Sequence, residues 1–153
     1  MPKNTDDNKI FIVADGMGGE NAGEVASCLA VSSAMVYLND NFDKEDIVVI
    51  IDAGHGGIDG GTQSADGTLE KDINLKIALK LNDLLQNMGV ETVLIRDSDI
   101  SVHDESAVTI REKKVSDIHN RLNVVESTEN AVLVSIHQNY FTQPISSLIS
   151  LIS

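Results

Sequence analysis

"IVVIIDAGHGGIDGGT" (residues 47–62) joins an apolar run to a histidine that is surrounded by glycines. The first half, "IVVII", is rich in β-branched residues and predicts a strand that is covered on both faces. Glycines leave room for a ligand beside the backbone, and open α/β sheets bind ligands at the carboxyl ends of their strands. The stretch therefore predicts a buried strand that ends at a binding site centred on His55.

The patterns that follow this strand predict the rest of a sheet. A helix is expected over residues 71–88, where Gly89 ends it as a C′ glycine, and a strand is expected over residues 91–95. A loop from residue 97 leads into a second helix, and "AVLVSIH" (residues 131–137) predicts another strand. This order is typical of an α/β fold with a mostly parallel sheet flanked by helices.

Helical spacing assigns a buried face to each of these two helices. The apolar residues of the first helix are Ile73, Ile77, Leu81, Leu84, Leu85 and Met88. Those of the second helix are Val115, Ile118, Leu122 and Val125. We expect both stripes to pack against the sheet.

The composition narrows the classes of function. A formal net charge of -13, from 24 acidic and 11 basic residues, is repelled by nucleic acids and anionic lipids. Aromatic residues make up only 3% of the chain, and the apolar runs are too short to span a bilayer. We expect neither nucleic-acid binding nor membrane insertion. The single cysteine, Cys28, excludes an internal disulfide and is interpreted as a small buried residue.

Two further residues have the chemistry and the position to join His55. Glu70 begins the first helix, and His137 ends the strand in "SIHQN". Two imidazoles and one carboxylate at one edge of a sheet would form a zinc site whose fourth position is left to water, which suits amide hydrolysis. The alternative is that both histidines are structural or solvated, as we interpret His103 and His119.

Four motifs follow one another between residues 47 and 143: "VVIIDAGHGGIDGGT", "LEKDINLKIALKL", "VLIRDSD" and "VSIHQNYF". In this order they resemble the zinc-dependent N-acetylmuramoyl-L-alanine amidases, above all the spore-germination branch. The resemblance implies an α/β sheet around one zinc ion, bound by His55, Glu70 and His137. It also implies cleavage of the amide that joins N-acetylmuramic acid to the L-alanine of the peptidoglycan stem. Arg96 and Arg121 also fall at positions typical of the family, and we interpret them as salt-bridge partners that pin the sheet edge, with substrate contact as the alternative.

The resemblance stops before the C-terminus. The family uses a late glutamate as its general base, and nothing after Gln143 matches the motif that carries it. The missing segment also supplies strands and a helix of the family fold. We therefore expect exposed apolar surface, unpaired strand edges and weak or absent hydrolysis, and a chain that is poorly stable or needs a partner chain to complete the fold.

A second resemblance lies in the N-terminal part. The sequence predicts a strand over residues 10–14, a turn-forming loop at "DGMGG" and a helix over residues 20–38. "FIVADGMGGENAGEVAS" (residues 11–27) resembles the metal-dependent 2C-type protein phosphatases over residues 6–38. The resemblance implies a second Mn or Mg site, with Asp15 bridging the ions and Gly16 offering its carbonyl. The other aspartates of that family have no counterpart, so we expect no phosphatase activity.

These observations divide the chain into three segments. Residues 1–44 are predicted to be a phosphatase-like fragment, residues 45–143 a truncated zinc amidase domain, and residues 144–153 a tail of non-native character. The leading function is amide hydrolysis in peptidoglycan. The alternatives are a non-catalytic, zinc-holding module that binds the cell wall and a phosphatase remnant. The family acts outside the membrane, whereas the polar N-terminus has no export signal and predicts a cytoplasmic chain.

Overall fold

A single five-stranded sheet carries the fold in the computed structural model, which describes residues 10–17, 47–139 and 148–152. Along the chain the described elements are β1 (Ile10–Met17), β2 (Val48–Ala53), α1 (Glu70–Asn87), β3 (Glu91–Leu94), α2 (Ile110–Ser127), β4 (Ala131–Asn139) and β5 (Leu148–Ile152). The strands lie in the order β3-β2-β4-β1-β5 across the sheet. Helix α1 connects β2 to β3, and α2 connects β3 to β4.

The predicted fold class is confirmed. Strand β2 pairs in parallel with β3 on one side and with β4 on the other, and β1 also runs parallel to β4. Among the five described strands, β5 alone is antiparallel, and it pairs with β1. The continuous apolar run of the opening stretch is buried on both faces, because helices cover both sides of β2.

Strand β1 corrects the prediction for "DGMGG". Asp15, Gly16 and Met17 were expected in a turn-forming loop, but the structure places them in the strand. The reason is their neighbour: β4 extends to Asn139, and the parallel pairing continues to the pair formed by Met17 and Asn139. The helix predicted over residues 20–38 and Cys28 lie outside the described residues.

Strands β1 and β5 concern two further predictions: the unpaired strand edges and the division of the chain into three segments. Unpaired strand edges were expected, and the last strand of the predicted amidase segment, β4, has a neighbour on each side. The three predicted segments each contribute at least one strand to the same sheet. Their division into separate units stays a prediction.

Helix α1 ends as the sequence predicts, at a glycine. Gly89 has a φ of 78°, its N–H donates to the carbonyl of Gln86, and the N–H of Val90 donates to the carbonyl of Leu85. These two bonds are those of a Schellman motif. The buried side chains of Leu85 and Val90 belong to the same apolar cluster, so the helix end is held in the core.

The buried face of α1 differs in part from the predicted stripe. Ile77, Leu81 and Leu85 are buried, but Leu84 and Met88 are 59% and 42% exposed. The buried face is turned away from Leu84 because it also contains the polar side chains of Glu70 and Asn74. An apolar stripe could not reveal a helix face that buries polar residues.

Helix α2 departs further from its prediction. It begins with a capping box, in which Thr109 and Glu112 bond to each other's backbone N–H. Only Val125 of its predicted apolar face is buried, whereas Val115, Ile118 and Leu122 are 47%, 57% and 42% exposed. Ile118 and Leu122 line an open cleft. The prediction that this stripe packs against the sheet is therefore wrong for three of its four residues.

Candidate metal centre

The first candidate ligand, His55, lies just beyond the carboxyl end of β2 on a strained backbone. Its φ is 64°, a value that non-glycine residues adopt rarely and that is often found at functional sites. Gly54, the residue before His55, shows why this loop contains so many glycines. A Cβ atom on Gly54 would lie 2.3 Å from the ring of His137, so only glycine leaves space for the second imidazole.

The three predicted ligands come together at this edge of the sheet. His55 Nε2 and His137 Nδ1 each lie 3.1 Å from Glu70 Oε1, and one ligand atom from each residue lies within 4.8 Å of the others. Glu70 is 3% exposed, whereas His55 and His137 are 23% and 36% exposed. A buried carboxylate and two partly open imidazoles thus face one point.

Backbone and side-chain donors hold the carboxylate of Glu70. Its Oε1 accepts from the backbone N–H of Gln138 at 3.0 Å. Its Oε2 accepts from the N–H and the hydroxyl of Thr62 at 2.9 and 3.0 Å. Gly61 brings Thr62 into this position with a φ of 68°, and a Cβ atom there would lie 2.6 Å from Glu70 Oε2. The glycine-rich loop is therefore shaped around the carboxylate as well as around the histidines.

A residue that the sequence analysis missed orients His55. Asp59 Oδ2 lies 3.1 Å from His55 Nδ1, the ring nitrogen that points away from Glu70. Carboxylates in this position fix the tautomer and the ring orientation of metal-binding histidines. The spacing of four residues within "HGGID" was a visible signal, but the loop geometry that brings the two side chains together was not.

The close contacts shift the pKa values of two of these groups. A hydrogen bond to Glu70, opposed by burial and supported by Asp59, raises the pKa of His55. Burial alone would raise the pKa of Glu70, but hydrogen bonds from His137, His55 and the backbone of Thr62 and Gln138 outweigh it and hold that pKa far below its ordinary value. Glu70 is therefore an anion at neutral pH.

Arg96 and Arg121 both pin the sheet edge, by different means. Arg121 forms ion pairs with Asp52 and with Asp117, the latter at 2.6 Å, as the salt-bridge interpretation predicts. Arg96 is 2% exposed and donates to the backbone carbonyls of Ala53, Gly54, Lys71 and Ser98. The salt-bridge prediction is therefore wrong for Arg96, which ties the glycine-rich loop to α1 through carbonyl oxygens.

The two remaining histidines lie apart from this group. His119 is exposed on α2, as predicted, and His103 is half-buried with its Nδ1 2.7 Å from the hydroxyl of Ser101. Asp15 and Gly16 occupy register positions beside His137 and Gln138 on the neighbouring strand β1. Their assignment to a second Mn or Mg site stays a prediction.

A cleft of about 460 Å³ opens beside the two histidines on the α2 face of the sheet. His55 and His137 are among its lining residues, and Lys113, Lys114 and Arg121 contribute the basic part of the lining. Its apolar lining consists of Ile58, Ile95, Ile118, Leu122, Val125 and Leu133. Two of the three converging side chains, His55 and His137, therefore border this cleft.

Fold and site together define an α/β protein with a His-Glu-His cluster at the carboxyl edge of a mostly parallel sheet. This donor set fits zinc, because two imidazoles and one carboxylate leave one position open. The chain belongs to the N-acetylmuramoyl-L-alanine amidase family, whose family model matches residues 49–148.

Individual relatives agree with this assignment. The chain is 33% identical over 92 residues to a germination-specific N-acetylmuramoyl-L-alanine amidase of Bacillus subtilis, which covers 60% of this chain and 38% of that protein. It is 33% identical over 97 residues to the amidase AmiA of Escherichia coli, covering 63% of this chain and 29% of that protein. The chain thus spans less than two fifths of the length of these curated relatives.

Solved structures support the same fold. The CwlD amidase of Clostridioides difficile, whose structure is in complex with the GerS lipoprotein, is 41% identical with a TM-score of 0.60 and covers 63% of this chain and 50% of that chain. The catalytic domain of CwlV from Bacillus (Paenibacillus) polymyxa is 32% identical with a TM-score of 0.51, covering 63% of this chain and 48% of that chain.

Proposed function

We propose that this chain is a zinc-binding N-acetylmuramoyl-L-alanine amidase domain that acts on the peptidoglycan of the cell wall. The observation that carries the proposal is the convergence of His55, Glu70 and His137 within 4.8 Å of one another, with both histidines lining a cleft. Family membership supplies the reaction class. The germination-specific relative supports a setting in spore germination.

The chain's own residues would prepare the amide for hydrolysis. His55, Glu70 and His137 would hold zinc, which supplies a water of lowered pKa and polarises the scissile carbonyl. Asp59 keeps Nε2 of His55 turned toward the centre by engaging Nδ1. Arg96 and Arg121 hold the carbonyls of residues 53–55, so that the loop positions its histidine rigidly.

The cleft suits a peptide-bearing substrate. Its apolar floor between α2 and the sheet would take the stem peptide, and the ammonium groups of Lys113 and Lys114 would attract its carboxylates. The amide would then lie across the two histidines that line the cleft.

We propose that turnover is slow, because the carboxylates beside the centre are already engaged. The nearby carboxylates of Asp52 and Asp59 are engaged by Arg121 and by His55 with Lys114. This engagement favours a second candidate, a zinc-holding module that binds the cell wall without cleaving it. A partner chain could complete either form, and the complex of CwlD with a lipoprotein supports such a pairing.

The first experiment combines zinc analysis with dye release from labelled peptidoglycan. We expect one zinc ion per chain, slow chelator-sensitive release by the wild type, and loss of both zinc and release in His55→Ala. His119→Ala is the matched control, because His119 is exposed on α2. Peptidoglycan binding without release would favour the binding module. A wild-type chain without zinc, or His55→Ala that keeps it, would refute the proposal.

A phosphatase remnant is tested separately. We expect no Mn-dependent turnover of a phosphorylated substrate. Turnover that disappears in Asp15→Ala would contradict this expectation and would assign Asp15 to a phosphatase centre.

A further inference from the structure

Asn74 is buried between the parts of the chain that carry the candidate ligands. It lies one helical turn after Glu70 on α1 and is fully buried. Its side-chain Nδ2 donates to the carbonyl of Gly54 at 3.1 Å and lies 3.5 Å from Glu70 Oε1. Gly54 precedes His55 and lies against the ring of His137. One amide group therefore links the loop that carries a histidine to the carboxylate that faces it.

The contacts of Asn74 leave one of its polar atoms unpaired. The carbonyl of Gly54 can only accept a hydrogen bond, so Nδ2 must face it. The side-chain oxygen, Oδ1, is then buried without a hydrogen-bond partner among the described residues. Burying an unpaired carbonyl costs free energy of folding. Asn74 therefore destabilises the part of α1 that it occupies.

The hydrogen bonds of the backbone do not require this asparagine. The carbonyl of Gly54 also accepts from Arg96 Nη2 at 3.1 Å, and Glu70 Oε1 accepts from the N–H of Gln138 at 3.0 Å. A leucine, which has nearly the shape of asparagine, would leave both of these oxygens paired and would remove the unpaired Oδ1. Stability alone thus favours an apolar residue at position 74, so the reason for an asparagine lies in the site.

The donors around Glu70 are of the kind that suits a metal-binding carboxylate. Apart from the two histidines, they are the N–H and the hydroxyl of Thr62, the N–H of Gln138 and the amide of Asn74. None of these groups carries a charge, so they orient the carboxylate and leave its negative charge for a cation. A lysine or arginine in the same contact would repel the ion.

We propose that Asn74 is a positioning residue of the metal centre, which holds Glu70 and the segment of Gly54 and His55 at the separation that zinc binding needs. The inference rests on the zinc site proposed above. Donors that orient metal ligands strengthen metal binding, and their loss typically lowers the affinity by about 10–100-fold. Asn74 would act on the ion through these ligands and would not itself bind the ion.

Zinc affinity and stability of the full chain, measured together, test the inference. For Asn74→Leu, competition with a chromophoric chelator should give a zinc dissociation constant about 10–100-fold higher than that of the wild type. Urea unfolding of the zinc-free protein should have a midpoint no lower than that of the wild type, because the unpaired Oδ1 is gone. Asn82→Leu is the matched control. Asn82 lies on the same helix and accepts from Thr92, so this substitution should leave the zinc affinity unchanged.

Leu81→Ala separates positioning from general destabilisation. It should lower the urea midpoint and leave the zinc affinity of the folded chain unchanged, because Leu81 belongs to the apolar core. If Asn74→Leu does not fold, Asn74→Ala decides by the same comparison, since its smaller side chain fits the space. A lower zinc affinity that is confined to residue 74 supports the inference.

Three results would overturn it. The first is an equal zinc affinity of the wild type and the residue-74 variant. The second is a loss of affinity that Leu81→Ala or Asn82→Leu reproduces. The third is a urea midpoint of Asn74→Leu that falls as far as that of Leu81→Ala, because Asn74 would then be a residue of the core.

The two proposals fail in different ways. If the wild type binds no zinc, the proposed function fails and this inference fails with it. If zinc binding depends on His55 but not on residue 74, only this inference fails.

Discussion

The two faces of the sheet are built from the same strands but are covered to different extents. On the α1 face, Leu81, Leu85 and Val134 belong to one buried apolar cluster. On the α2 face, the buried cluster is small, and charged residues and an open cleft take up the rest of the surface. The comparison teaches that strand alternation supplies apolar residues to both faces, whereas the packing partner decides which face becomes core and which becomes site.

Matched leucine truncations should give the largest difference between the faces. Leu81→Ala should lower the free energy of unfolding by about 2–5 kcal/mol, because it leaves a cavity in a closed core. Leu122→Ala should cost less than about 1 kcal/mol, since Leu122 is 42% exposed and lines the open cleft. Urea denaturation of both variants measures the difference. Equal losses would show that the α2 face is closed in solution.

Two glycines with similar backbone conformations allow a substitution at the site to be compared with one outside it. Gly61 and Gly89 have φ angles of 68° and 78°. Gly89→Ala should cost about 1–2 kcal/mol for the left-handed conformation alone, because nothing lies within 4 Å of the added Cβ.

Gly61→Ala should cost about 1–3 kcal/mol more, because its Cβ would meet Glu70 Oε2 at 2.6 Å. It should also weaken zinc binding, since the carboxylate must move. Denaturant titrations and chelator competition measure the two effects. Gly61→Ala with unchanged zinc affinity would contradict the role assigned to the loop.

Acid titration tests the charged α2 face and should give the smallest effect. Burial would raise the pKa of Asp117, but hydrogen bonds from Arg121 and Ser101 hold it below its ordinary value. The resulting stabilisation is present above the unfolded pKa of about 4 and is lost as the pH falls through the lower folded pKa.

Asp117→Asn should remove about 1–2 kcal/mol at pH 7 and flatten the acid dependence of unfolding in this range. Glu105→Gln, on the exposed loop before α2, is the control and should behave like the wild type. Parallel curves for Asp117→Asn and the wild type below pH 4 would contradict this assignment.

The part of the site that lies at the ends of strands could be predicted from the sequence. Because β2 and β4 are parallel neighbours, their carboxyl ends meet, and His55 and His137 had to approach each other once both strands were recognised. The role of Asp59 was not predictable in the same way, because it depends on the positive φ of His55 and on the turn that follows. The carbonyl bonds of Arg96 were hidden for a related reason: backbone oxygens leave no signature in a sequence.

The sequence by itself determined the α/β class, the elements from β2 to β4 and the three candidate ligands. Those features follow from local patterns: β-branched runs, helical spacing, capping residues and a histidine or glutamate at an element end. Only the tertiary structure decided that "DGM" continues β1 beside β4, that the apolar stripe of α2 borders a cleft, and that Arg96 binds carbonyls. Each of these depends on which segment lies alongside, and contacts between distant segments are set by packing and not by local propensity.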